Sequence, residues 1–146
     1  MVSSILIILV SGVLLLYWFR YTCVLILKTH SARDYAAEVA AANQLAFPDV
    51  MGRLQLGQEL DPLRRMLERD CRLLEYLLQH TASPEAGGPT IEQRLLSIDF
   101  RLMQLWYAVT RRIASPQARR ALEEMSEIVS HFANAMGERA AASVRD

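Results

Sequence analysis

The sequence is short of most of what active-site chemistry needs. It has two cysteines, Cys23 in an apolar run and Cys71 in a stretch of mixed polarity, so no disulfide framework is implied. Each reads as a small buried hydrophobe. Its three histidines, His30, His80 and His131, have no glutamate three residues before them. That removes the Glu-x-x-His pairs of a di-iron bundle, and each His reads as a surface or capping residue. There is no Gly-rich phosphate loop, no nucleophile elbow and no metal-finger spacing, so no catalytic, cofactor or metal residue is nominated. A basic excess is missing as well. Residues 31–146 hold 14 basic against 16 acidic residues, a formal charge of −2, which disfavours nucleic acid as a partner. Lysine is nearly absent: Lys28 stands alone and the other 15 basic residues are Arg. Together with abundant Ala, this suggests the coding bias of a GC-rich bacterial genome.

What is present is apolar and helical. Val2–Phe19 carries no charge, and its 18 residues at helical rise make roughly 27 Å, the thickness of a bilayer's hydrocarbon core. Arg20 follows, then the apolar Tyr21–Leu27, then Lys28. The n-region has no positive charge, no A-x-A site follows, and the run exceeds a signal peptide's h-region, so a retained anchor over residues 1–30 is expected. A lipoprotein site at Cys23 also fails, because Arg20-Tyr21-Thr22 precede it. Arg20, Lys28 and Arg33 all lie at or beyond the C-terminal end of the span. The positive-inside rule then puts a short N-terminus outside an inner membrane and the remaining chain in the cytoplasm.

Arg20 interrupts the pattern. On one reading Tyr17, Trp18 and Tyr21 form an interfacial aromatic belt and Arg20 snorkels to headgroups. On the other, Arg20 pairs with a carboxylate or headgroup inside an assembly. Ser4 and Ser11, seven apart, with Gly12 adjoining, offer a small-residue stripe for close contact with another helix, although no G-x-x-x-G occurs.

The rest predicts an antiparallel three- or four-helix bundle over residues 31–137, with helices at about 32–46, 61–79, 90–113 and 115–137 and a fraying tail at 138–146. Ser31 would cap the first helix, which could also continue the anchor as one rod through Thr29 and His30, and Phe47-Pro48-Asp49 would end it. Val50–Leu60, with Gly52 and Gly57, reads as broken. Asp61-Pro62 opens the second helix, whose stripe is Leu60, Leu63, Leu67, Leu74 and Leu78, with Met66, Cys71 and Leu77 beside it. Residues 81–89 are a loop. Thr90 and Gln93 make a capping box for the third helix. Its main stripe is Ile91, Leu95, Ile98, Leu102, Leu105, Trp106 and Val109, widened by Leu96, Phe100 and Met103, which predicts that this helix is central. Ser115-Pro116 opens the last helix, and Ala121, Leu122, Met125, Ile128, Val129, Phe132 and Met136 face the core, with Gly137 as its C-terminal cap.

Two groups of charges stand out. Asp70 and Asp99 fall on or beside apolar stripes and call for partners, either boundary salt bridges to Arg69, Arg72, Arg94 or Arg101, or a shared carboxylate site. Arg111-Arg112 and Arg119-Arg120 flank one turn. They either complement a helix end and pair with Glu123 and Glu124, or form a patch for anionic headgroups or an acidic partner. The expectation is a non-enzymatic, membrane-anchored adaptor or accessory subunit, with membrane lipid and a protein partner or second copy as its contacts. The alternatives are a lipid-facing or signalling module working through the Arg patch, and an enzyme with a pocket built from Asp70, Asp99 and a His. No small-molecule substrate is evident.

Overall fold

In the computed structural model, residues 1–29, 34–80 and 89–144 are described, and among them are six helices and no strand. They are α1 (Val2–Lys28), α2 (Ala36–Asn43), α3 (Phe47–Gln55), α4 (Leu60–His80), α5 (Ile91–Thr110) and α6 (Ser115–Ser143). The chain divides into two units, Met1–His30 and Ser31–Asp146.

The first unit is α1. It is long and apolar enough to cross a membrane, and its most apolar stretch is fully unburied. Arg20 sits inside one continuous helix rather than at a break. Trp18 and Tyr21 meet edge to face at 6.4 Å, and the Thr22 hydroxyl donates to the Trp18 carbonyl at 2.9 Å, so this polar group is satisfied within the helix. The helix stops at Thr29, which is extended.

The second unit is the bundle, and α6 is its hub: α2, α3, α4 and α5 all pack on it. This corrects the sequence reading, which made the third predicted helix central. The reason lies in residue size. The buried face of α6 includes Ala118, Ala121, Ser126, Ala133 and Gly137 beside Leu122, Met125, Ile128, Val129 and Phe132, and small residues let several helix backbones come close. At Gly137 the approach is closest. An added Cβ would lie 2.2 Å from the Tyr35 Cβ, so only glycine fits. The Tyr35 N–H donates to Asn134 Oδ1 at 2.8 Å beside it. Gly137 is therefore a packing position and not a C-terminal cap, and α6 runs on to Ser143 through what was expected to be tail.

Other boundaries also move. The expected first helix, 32–46, is the shorter α2, preceded by non-helical Asp34 and Tyr35 and ended by Gln44 in the left-handed region (φ 52°). Asp34, whose Oδ1 accepts from the Ala36 N–H at 3.0 Å, precedes α2 and is not inside a helix. Thr29 is extended and ends α1, and residues 30–33, through which the expected continuous rod would run, lie outside the described residues. The proposed cap Ser31 and residues 81–88 of the expected loop lie outside the described residues. The third helix ends at Thr110 and not at 113, and the last helix carries Pro116 in its first turn without a side-chain cap from Ala114. The stretch expected to be broken is helical as α3, closed by Gly57 (φ 73°), with the Gln58 N–H on the Arg53 carbonyl and the Gly57 N–H on the Leu54 carbonyl.

The short α3 is held from outside. Asp70 of α4 is fully buried, and its Oδ2 accepts the Ala46 and Phe47 N–H groups at 2.6 and 2.9 Å. At the other end Arg119 of α6 donates to the Leu54 carbonyl at 3.1 Å. An acid at the N-terminus and a base at the C-terminus each complement the helix dipole. The end of α4 is tied down in the same way: Arg139 donates to the Leu78 carbonyl at 2.8 Å and to Gln93 Oε1 at 3.0 Å. The Thr90–Gln93 capping box is complete.

Candidate functional site

Helix α5 carries two apolar faces, and the bundle uses one of them. α5 packs on α6, and its buried residues are Leu96, Phe100, Met103 and Tyr107, together with Gln93, Asp99 and Thr110. The other face is the stripe expected to form the core. Ile91 is 78% exposed, Ile98 55%, Leu105 64%, Trp106 47%, Val109 52%, and Ile113 just beyond the helix 83%. Leu95 and Leu102, which lie between them, are half-buried. The expectation that this stripe faces the core is thus overturned. A helix on the outside of a bundle buries one side, and the side buried here holds Phe100 and Tyr107.

The stripe runs through 91, 95, 98, 102, 105 and 109, spacings that alternate between four and three, with its members at 95 and 102 half-buried. This is the seam of a heptad repeat. One edge of the seam is basic, with exposed Arg94 and Arg101 seven residues apart. Beyond that edge, between α4 and α5, lies an open groove of about 350 Å³, lined by Glu75, Leu78, Gln79, Pro89, Gln93, Arg94, Ser97, Ile98, Arg101 and Phe132. These groups are mixed in polarity and include no nucleophile paired with a base.

The remaining candidates from the sequence fall in separate places. Of the Arg patch, Arg111 forks onto Asp61 at 2.8 and 3.0 Å and Arg119 holds α3, while Arg112 and Arg120 are exposed. Asp61, read as a cap, lies within the first turn of α4 and also accepts the Tyr107 hydroxyl at 2.8 Å. That hydrogen bond, aided by Arg111, holds the Asp61 carboxyl below its ordinary range. Burial and the Asp61 contact push the Tyr107 phenol up to about 12. Asp70 serves α3 and is also bridged by Arg69 at 3.1 Å, so it is occupied as a cap. Asp99 is fully buried on α5, and neither acid nor any His lines the groove.

Cys71 is buried, which raises its thiol far above the ordinary value and leaves it protonated. His80 stacks on Tyr76 at 4.0 Å in the last turn of α4, and burial lowers the pKa of His131 on α6. Among the described residues, no three His, Cys, Asp or Glu side chains converge as metal ligands. On α1, Ser4, Ser11, Gly12, Tyr17, Trp18 and Tyr21 are all exposed. Comparison with known family models, curated proteins and solved structures gives no match.

The sequence does hold a signal for the uncovered face. Two apolar stripes lie on α5, roughly 150° apart around the helix, and a peripheral helix cannot bury both against one neighbour.

Proposed function

We propose that this chain is a single-pass, membrane-anchored docking protein, a non-enzymatic adaptor or accessory subunit that holds a protein partner against the bundle. The observation that carries the reading is the uncovered stripe of α5. With Trp106 beside it and Ile113 just beyond the helix, it exposes roughly 700 Å² of mostly apolar surface, at or above the largest patch of an ordinary monomer, about 300–600 Å². An apolar face of that size in water favours a partner. The apolar α1, with no polar face, supports an anchor, and Arg20, Lys28 and Arg33 after the apolar core favour a bacterial inner membrane with the bundle in the cytoplasm. Ser4, Ser11 and Gly12 give a further place for a neighbour's helix within the bilayer.

The reading that makes Arg111, Arg112, Arg119 and Arg120 a lipid-binding patch draws less support, because Arg111 and Arg119 are spent on Asp61 and on the end of α3. Affinity purification of the full-length protein after mild detergent extraction tests the proposal. Retention of a stoichiometric protein partner is expected. Salt-sensitive binding to anionic liposomes with no protein retained counts for the Arg-patch reading instead.

A further inference from the structure

We infer that the α5 stripe receives one α-helix of a different protein, a helix with apolar residues at heptad spacing and acidic residues along the flank that meets Arg94 and Arg101. The inference rests on the docking reading above and names the chemistry of the partner. Three observations carry it. The first is register. Positions 91, 95, 98, 102, 105 and 109 alternate by four and three, the spacing that sets side chains as knobs into the holes of a facing helix. A bilayer imposes no such register. The second is area. The stripe together with Trp106 and Ile113 exposes roughly 700 Å², close to the 800 Å² or so that each partner contributes to a standard interface, so one helix and its immediate neighbours suffice to cover it.

The third is charge. With Leu95, Leu102 and Val109 at a and Ile91, Ile98 and Leu105 at d, Arg94 and Arg101 occupy successive g positions, where flanking charges select the partner. A second copy of this chain answers them poorly. In a parallel pair each g residue faces the e residue five positions on in the other helix. Arg94 would face Asp99, which is fully buried in its own bundle, and Arg101 would face Trp106. In an antiparallel pair the g edges meet, and arginines face arginines. A partner helix with Glu or Asp at the facing flank satisfies both arginines, and the same arginines repel a basic one.

The test uses the full-length protein in phosphatidylcholine nanodiscs and a fluorescent three-heptad peptide with Leu at a and d and Glu at e and g. The same peptide with Lys in place of Glu is the control. The Glu peptide is expected to bind about tenfold more tightly than the Lys peptide and to weaken as salt rises. Arg94→Glu with Arg101→Glu is expected to reverse the preference, and Ile98→Asp with Leu105→Asp to abolish binding of both peptides without loss of helical signal. Both pairs of substitutions are on the surface, so the fold survives them. Equal binding of the two peptides overturns the inference, as does a preference that survives the Arg reversal. Insertion of the stripe into phosphatidylglycerol vesicles, or pairing of two copies in one nanodisc without peptide, overturns it too. If a native protein co-purifies and Ile98→Asp with Leu105→Asp leaves it bound, this inference alone fails. If no protein is retained at all, the docking reading fails with it.

Discussion

The outer face of α5 and the inner face of α6 are both apolar and both follow helical spacing, yet one is open and the other is enclosed by four helices. The difference is in side-chain size. The α6 face interleaves Ala118, Ala121, Ala133 and Gly137 with larger residues, so backbones approach from several directions and close a core around it. The α5 stripe is Ile, Leu, Val and Trp throughout, a row of large knobs that suits one facing helix and admits no close crowding. α1 makes a third case. It is apolar around its whole circumference, with no polar face to turn to water, which suits lipid as solvent.

Substitutions can break or sharpen this contrast, and thermal melts of the full-length protein in mild detergent read them. The largest effect is expected from Leu96→Ala on the inner face of α5, a cavity at a fully buried site that costs about 3 kcal/mol. Asp70→Ala comes next. It leaves the Ala46 and Phe47 N–H groups without their acceptor, at a cost of about 2 kcal/mol, and α3 should lose protection from hydrogen exchange before α4 does.

A smaller effect is expected at His131, whose folded pKa lies below its ordinary 6.5 because burial disfavours the charged ring. The unfolded chain therefore binds the proton more readily. Stability is full above pH about 6.5 and falls as pH drops through that value toward the folded pKa. His131→Gln should flatten that part of the stability profile, and an unchanged slope there would show that His131 is not the group responsible. The smallest effect is expected from Leu105→Gln on the outer stripe, within about 0.5 kcal/mol. If Leu105→Gln destabilised the bundle as much as Leu96→Ala does, the stripe would be core and the candidate site would disappear.

Much of the helical layout is legible residue by residue. Thr90 and Gln93 announce the start of α5 because each satisfies the other's backbone within one turn. The stripes of α4 and α6 are single, so Leu63, Leu67, Leu74 and Leu78 and the run from Ala121 to Phe132 had one side to bury. α3 was not legible. Pro48, Gly52 and Gly57 argue against a helix locally, and the groups that stabilise its two ends, Asp70 and Arg119, lie 23 and 65 residues along the chain from the atoms they bond. Arg139 was hidden for the same reason, since its partners are on α4 and α5. The candidate site was visible as residues and misassigned as a surface: the stripe from Ile91 to Val109 was found, and its direction was not.

The sequence by itself determined that the fold is all-α and that its N-terminal helix is long and apolar enough to cross a membrane, because helix propensity, capping and apolar periodicity act within a few residues of one another. Only the tertiary structure decided that α6 is the hub, that Gly137 is a contact with Tyr35, and which of the two faces of α5 is spent on the core. Periodicity marks a face as apolar but carries no information about what covers it. That depends on which backbones can approach, and here small residues on α6 let four helices pack on it while one face of α5 stayed open.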